Sequence, residues 1–118
     1  DPARVINVGS IDGIHAGLFE AYSYAASKAG LHHLTRLLAK FLAQRHITVN
    51  AIAPGPFESK MLQPILKQVG SALAESVPLR RLGREEDMAG VAVYLSSQAG
   101  AYVTGSVLTV DGGLATTS

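Results

Sequence analysis

Three short runs of β-branched and apolar residues punctuate the chain, and the segments between them limit the folds open to it. Val5-Ile6-Asn7-Val8 comes first, Ile47-Thr48-Val49-Asn50-Ala51-Ile52 second and Ser106-Val107-Leu108-Thr109-Val110 third. Each reads as a buried strand. Residues 10–21, just after the first run, are glycine-bearing and read as loop. Residues 22–45 contain no proline, and their apolar residues recur at helical spacing. Leu31, Leu34, Leu38 and Leu42 form one line, with Ala25, Ala29, Leu37 and Phe41 beside it. After the second run come helix-like segments over 59–69, limited by Pro64, and over 71–81, short and irregular. A further helix comes after Gly83, opens on Arg84-Glu85-Glu86-Asp87 and runs to Leu95. Strands separated by helices need crossover connections, so the sheet is expected to be parallel. Near-continuous apolar strands imply cover on both faces. The fold class is therefore α/β, with a doubly wound parallel sheet.

Three strands are few for such a sheet, and no G-x-G-x-x-G phosphate loop is present. Residues 1–118 are thus expected to be the C-terminal part of a single domain, its second half only. The abrupt start at Asp1-Pro2-Ala3-Arg4 fits a fragment, with a processed or tagged chain as the alternative. The composition, 47% hydrophobic and 16% charged, suits a packed core. A formal net charge of +1 gives no long-range reason to expect a nucleic acid or an anionic membrane as partner. The absence of cysteine excludes disulfides, thiolate metal sites and a Cys nucleophile. No apolar run approaches the ~20 residues needed to cross a bilayer, and the start has no apolar leader segment. A cytoplasmic chain is expected.

The chemistry-bearing candidates are few. Tyr24-Ala25-Ala26-Ser27-Lys28 sets a phenol and an ammonium four residues apart, on one face of a helix. A lysine charge beside a phenol favours the phenolate, lowering a pKa that is about 10 in isolation. Such a phenol can give a proton to a carbonyl oxygen or take one from an alcohol. The spacing alone is a weak signal, since an ordinary helix with a packed Tyr and a solvated Lys shows it too. Context strengthens it. Ser10 comes after the first strand at its carboxyl end, where open α/β sheets bind ligands. The second strand ends at the same edge in Pro54-Gly55-Pro56-Phe57-Glu58-Ser59.

These motifs, in this order, resemble the short-chain dehydrogenase/reductase superfamily, a Rossmann-type fold. The resemblance rests on Arg4-Val5-Ile6-Asn7-Val8-Gly9-Ser10, Tyr24-x-x-x-Lys28, Thr48-Val49-Asn50-Ala51-Ile52-Ala53-Pro54-Gly55 and the ending from Val103-Thr104-Gly105 to Asp111-Gly112-Gly113. Gly9-Ser10-Ile11-Asp12-Gly13, Leu31-His32-His33-Leu34-Thr35-Arg36 and Pro56-Phe57-Glu58-Ser59-Lys60-Met61 are similar to its 3-oxoacyl reductase branch, in wording nearest to reductases of the rhamnolipid-synthesis type. The resemblance implies catalytic roles for Ser10, Tyr24 and Lys28. Ser10 would hydrogen-bond the reacting oxygen, Tyr24 would be the general acid in reduction, and Lys28 would also bind the nicotinamide ribose. Tyr24 and Lys28, with Pro54, Gly55, Phe57 and Ser59, would bind the nicotinamide end of the cofactor, NADP(H) or NAD(H), with NADP(H) slightly favoured. A fourth catalytic member, an Asn, would lie upstream of residue 1. The implied activity is reduction of a small-molecule carbonyl, plausible substrates being 3-oxoacyl thioesters. The alternatives are oxidation of a sugar, polyol or hydroxysteroid, or an inactive fragment that keeps only an oligomerisation surface.

Two departures from the family pattern stand out. Thirteen residues separate Ser10 from Tyr24, one more than the resemblance leads one to expect, which places an extra residue in loop 13–20 at the substrate mouth. Glu85 stands where proline is frequent, and an acidic residue there suits the positive end of a helix. Glu85, Glu86 and Asp87 are read as helix-capping charges, not as an acid/base or metal cluster. His32 and His33 are adjacent and His15 and His46 scattered, so no zinc spacing exists and surface histidines are expected. Tyr22 has Ala26 four residues on and lacks an activating partner, while Tyr94 and Tyr102 read as packing residues. The wide apolar face of helix 22–45 exceeds what one sheet contact needs and points to a homodimer or homotetramer. Residues 61–74, with Met61, Leu62, Ile65, Leu66 and Val69, read as a flexible cover over an apolar substrate.

Overall fold

The computed structural model describes residues 1–59 and 63–117, and for Ile65 and Leu66 the backbone alone. The elements are β1 (Ala3–Val8), α1 (Tyr22–Leu42), β2 (Ile47–Pro54), α2 (Gln63–Ser76), α3 (Glu85–Ser96) and β3 (Val107–Val110). Three-residue 3₁₀ turns stand at Ile11–Gly13, Ala43–Arg45 and Gln98–Gly100. The sheet has the order β1-β2-β3 and both pairings are parallel, as the alternation of strands and helices requires. Val5 faces Val49 across the first pair, and Ile52 faces Leu108 across the second.

Arg4 and Asn7 are three residues apart on β1, so their side chains leave on opposite faces. Asn7 Nδ2 donates to Thr35 Oγ1 of α1 at 3.1 Å. Arg4 Nε donates to the Leu95 carbonyl and its Nη2 to that of Ser97, both at 2.9 Å, at the carboxyl end of α3. A guanidinium at that end also complements the helix dipole. Helices α1 and α3 therefore flank the sheet, the two-sided cover of a doubly wound fold.

β2 is the centre of the core, with Thr48 to Ala53 buried without a break. Asn50 is buried within it and stays satisfied. Its Nδ2 donates to the Val103 carbonyl at 2.9 Å, and its Oδ1 accepts from Ser106 N–H at 3.0 Å, tying β2 to the approach to β3. Val49, Ile52, Val77 and Leu95 are the largest fully buried apolar side chains.

The structure corrects several expectations. β2 is covered on both faces, while Val5 and Val8 of β1 are exposed in this chain, which spans about half of its relatives' length. β1 is an edge strand, so it has fewer neighbours. The helix expected over 22–45 ends at Leu42, and Ala43–Arg45 tightens into a 3₁₀ turn before His46 adopts a left-handed φ of 58°. The two helices expected over 59–69 and 71–81 are one, α2, which Pro64 does not interrupt because it falls in the first described turn. Tyr102 is fully exposed, and Tyr94 is exposed in part. Met61 and Leu62 of the expected substrate cover lie outside the described residues, as do the side chains of Ile65 and Leu66. Val69 is exposed. No helix among the described residues is long and apolar enough to cross a membrane.

Candidate active site

The carboxyl edge of the sheet gathers the residues singled out from the sequence. β1 ends at Val8, and Gly9 N–H still donates to the Ile52 carbonyl of β2 at 2.7 Å. Ser10, 6% exposed, then caps the 3₁₀ turn Ile11–Gly13: its Oγ accepts from Asp12 N–H at 3.0 Å. A hydroxyl that accepts in this way keeps its own proton as a donor.

Tyr24 and Lys28 lie in the first two turns of α1. Lys28 Nζ stands 5.6 Å from the centre of the Tyr24 ring, within cation–π range, and donates to the Val8 carbonyl at 2.9 Å. One ammonium thus contacts the phenol ring and anchors the helix to the end of β1, two residues before Ser10. Tyr24 is 46% exposed, so its ring is accessible from solvent.

The Pro54-Gly55 corner closes the same edge. Gly55 N–H donates to the Val110 carbonyl of β3 at 2.9 Å. A Cβ on Gly55 would meet Asp111 Cβ at 2.7 Å and Ile11 of the Ser10 turn at 3.5 Å, so glycine lets the three strand ends close together. Phe57 pairs by an isolated parallel bridge with Gly83, on which its ring lies. Gly83 N–H donates to the Pro56 carbonyl at 2.9 Å and Glu58 N–H to the Gly83 carbonyl at 3.0 Å, so the loop is held to the segment preceding α3. Ser59 stands further out, on a concavity it shares with Glu58, Gln63 and Arg84. A larger cleft of about 630 Å³, lined by Phe57, Leu79, Arg81 and Asp111 among others, lies behind this loop, and none of Ser10, Tyr24 or Lys28 lines it.

The geometry adds a residue that sequence reasoning placed on the surface. His32 is 4% exposed, and its Nε2 is 3.3 Å from Ser10 N. Burial, then the charges of Arg36 and Lys28, hold its pKa below the usual histidine value. His33 is exposed, as expected. Among the described residues no three His, Cys, Asp or Glu side chains gather as a metal site.

Of the carboxylates at the start of α3, Asp87 is the engaged one. It accepts Arg84 N–H at 2.8 Å as a cap and pairs with the Arg81 guanidinium at 2.7 and 3.1 Å. The Arg81 bond, then the Arg84 N–H, lower its pKa to about 2. Asp111 is buried and accepts Gly113 and Ala115 N–H groups, closing the turn after β3.

A family model described as enoyl-(acyl carrier protein) reductase matches residues 1–115. The chain belongs to the short-chain dehydrogenase/reductase family. Over 115 residues it is 51% identical to the rhamnolipids biosynthesis 3-oxoacyl-[acyl-carrier-protein] reductase of Pseudomonas aeruginosa, covering 96% of this chain and 45% of that protein. The solved Pseudomonas aeruginosa RhlG/NADP active-site complex matches with a TM-score of 0.90 and 50% identity, over 98% of this chain and 47% of that one. A candidate 2-deoxy-D-gluconate 3-dehydrogenase of Agrobacterium tumefaciens with bound NADP matches with a TM-score of 0.89 and 41% identity, over 96% and 46%. The fold is thus the Rossmann-type one of this family, and its named relatives are oxidoreductases. The chain spans about half the length of the relatives it matches.

Proposed function

We propose that this chain carries the proton-transfer machinery of an NADP(H)-dependent carbonyl reductase whose substrates are 3-oxoacyl thioesters. The observation that carries the reading is the Lys28 ammonium set between the Tyr24 ring and the end of β1, beside the Ser10 turn. The donor set suits the nicotinamide-ribose end of a nucleotide. Lys28 has three N–H donors and gives one to Val8, which leaves others for ribose hydroxyls. Pro54 and Gly55 would wall the nicotinamide, with the Phe57 backbone and Ser59 toward its carboxamide. NADP in the two related structures supports NADP(H) as the cofactor.

Bound NADPH would supply the hydride that the carbonyl carbon receives. The Ser10 hydroxyl hydrogen-bonds the carbonyl oxygen and holds it toward Tyr24. Tyr24 donates its phenolic proton to that oxygen as negative charge develops there, and the resulting phenolate is reprotonated from solvent. Lys28 fixes the ribose and steadies the phenol. An apolar acyl chain finds a counterpart in loop 13–20, between Ser10 and Tyr24, where Leu18 is 81% and Phe19 72% exposed. A sugar or polyol substrate, the reading favoured by similarity to the gluconate dehydrogenase, offers nothing for those side chains to bury.

The deciding experiment is Tyr24→Phe in the protein at its natural length, assayed with NADPH and an acetoacetyl thioester. Turnover is expected to vanish while NADPH affinity stays within about threefold, since the hydroxyl acts in the chemical step. Near-full activity would overturn the mechanism. Association into a homodimer or homotetramer through α1 is part of the same proposal, supported by exposed Leu34, Leu37 and Phe41 on that helix.

A further inference from the structure

We infer that His32 is a positioning residue for Ser10, its ring Nε2 accepting the Ser10 main-chain N–H and so fixing the turn that presents the Ser10 hydroxyl. This rests on the reading of Ser10 as the group that binds the reacting oxygen. Three observations carry it. Gly9 N–H completes the pairing with β2, and Ser10 N–H, the next donor along, leaves the sheet at a buried residue. A buried donor needs a partner, and among the described residues His32 Nε2 at 3.3 Å is the one it has. The turn is also built around the ring. A Cβ on Gly9 would stand 2.0 Å from His32 Nε2, and one on Gly13 would stand 2.9 Å from its Cε1. The two glycines that bracket the Ser10 turn thus leave room for this imidazole and for little else.

The third observation is chemical. An imidazole accepts at Nε2 only when neutral, with its proton on Nδ1. The surroundings favour that state: the ring is buried, and the charges acting on it, Arg36 and Lys28, are both cationic and both on α1. Asp12, the titratable group of the facing turn, lies instead against Gly17, where an added Cβ would meet its Oδ1 at 2.6 Å. Protonation of His32 would turn the acceptor into a donor pointed at an N–H. Because the folded-state pKa lies below the ordinary 6.5, the contact persists at that pH and is lost only as pH falls further, through the lowered folded value.

The test compares His32→Leu, His32→Gln, Ser10→Ala and the Ser10→Ala/His32→Leu pair in the natural-length protein with NADPH and an acetoacetyl thioester. His32→Leu is expected to lower kcat about tenfold or more, the scale of a small misplacement of a reacting group, with NADPH affinity within about twofold. His32→Gln, whose amide oxygen accepts at any pH, is expected to restore most of that loss and to remove an acid limb from the pH profile of kcat. The double variant is expected to be no slower than Ser10→Ala. Nitrogen-15 NMR of the His32 ring is expected to show the neutral Nδ1–H form at pH 7. Losses that multiply in the double variant, a His32→Leu enzyme with wild-type kcat beside a crippled Ser10→Ala, or an Nε2–H ring at pH 7 each overturn the inference alone. Wild-type turnover in Ser10→Ala overturns the reading of Ser10 itself, and the positioning role falls with it.

Discussion

Lys28 serves two neighbours at once, and that makes it the most informative residue to change. Its ammonium holds the Val8 carbonyl at 2.9 Å and stands over the Tyr24 ring. Lys28→Ala is expected to lower kcat on the order of a hundredfold and to weaken NADPH binding as well, a double loss that separates it from Tyr24→Phe. Steady-state kinetics with a parallel NADPH titration decide it, and unchanged NADPH affinity would remove the ribose role. Gly9→Ala tests the packing side of the same site. Its methyl would overlap the His32 ring, so a destabilisation of ~1–3 kcal/mol is expected in urea unfolding. That Ser10, Tyr24 and Lys28 gather at one sheet edge was legible in the sequence, because order and spacing place them there. His32 was not. Two adjacent histidines on a helix look equivalent until it is known which face is down.

The orientation of α1 turns on the same point. Its buried stripe is His32, Thr35 and Ala39, continued by half-buried Lys28, while Leu34, Leu37 and Phe41 face outward. The sheet-facing stripe is not the most apolar one, because the strand end offers polar partners. Val8 takes Lys28, Ser10 takes His32 and Asn7 takes Thr35, so polar side chains are satisfied against the sheet. In the proposed reading, loop 13–20 is the element that bears on the substrate. Leu18→Ser with Phe19→Ser is expected to raise KM for long-chain 3-oxoacyl thioesters about tenfold while leaving the acetoacetyl substrate within twofold, since only the longer chain reaches apolar side chains. Equal effects on both lengths would remove the loop from substrate binding. At the start of α3, Asp87 was legible as a cap, but its pairing with Arg81 depends on a turn the sequence did not reveal. A carboxyl held near 2 stabilises the fold above its ordinary pKa of 3.8, and that contribution is lost as pH falls toward 2. Asp87→Asn is therefore expected to lower Tm at pH 6 and to converge on the unsubstituted protein near pH 2. Both side chains are partly exposed, so the shift is small. Thermal melts across that range measure it.

At the scale of the whole molecule, apolar surface is distributed unevenly. β2 and its flanking helices form a closed core, whereas α1 carries Leu34, Leu37 and Phe41 on its outer face. The parallel order was legible because alternation of strands and helices admits few topologies. Three large apolar side chains on one side of one helix, spaced by three and four residues, form a continuous stripe. Water contact with that stripe is unfavourable by roughly 25 cal/mol per Å², and a second copy offers the same stripe in return, as a two-fold interface requires. Leu37→Asp with Phe41→Asp, both outside the Ser10–Tyr24–Lys28 cluster, is therefore expected to convert a dimer or tetramer into smaller species in size-exclusion chromatography with light scattering. The stripe does not hold the subunits together if that variant keeps the parent's mass. Should the variant instead elute as a folded monomer with a sharp melt, the outer face of α1 is the contact, and its sheet-facing stripe is free to be the polar one that orders the site.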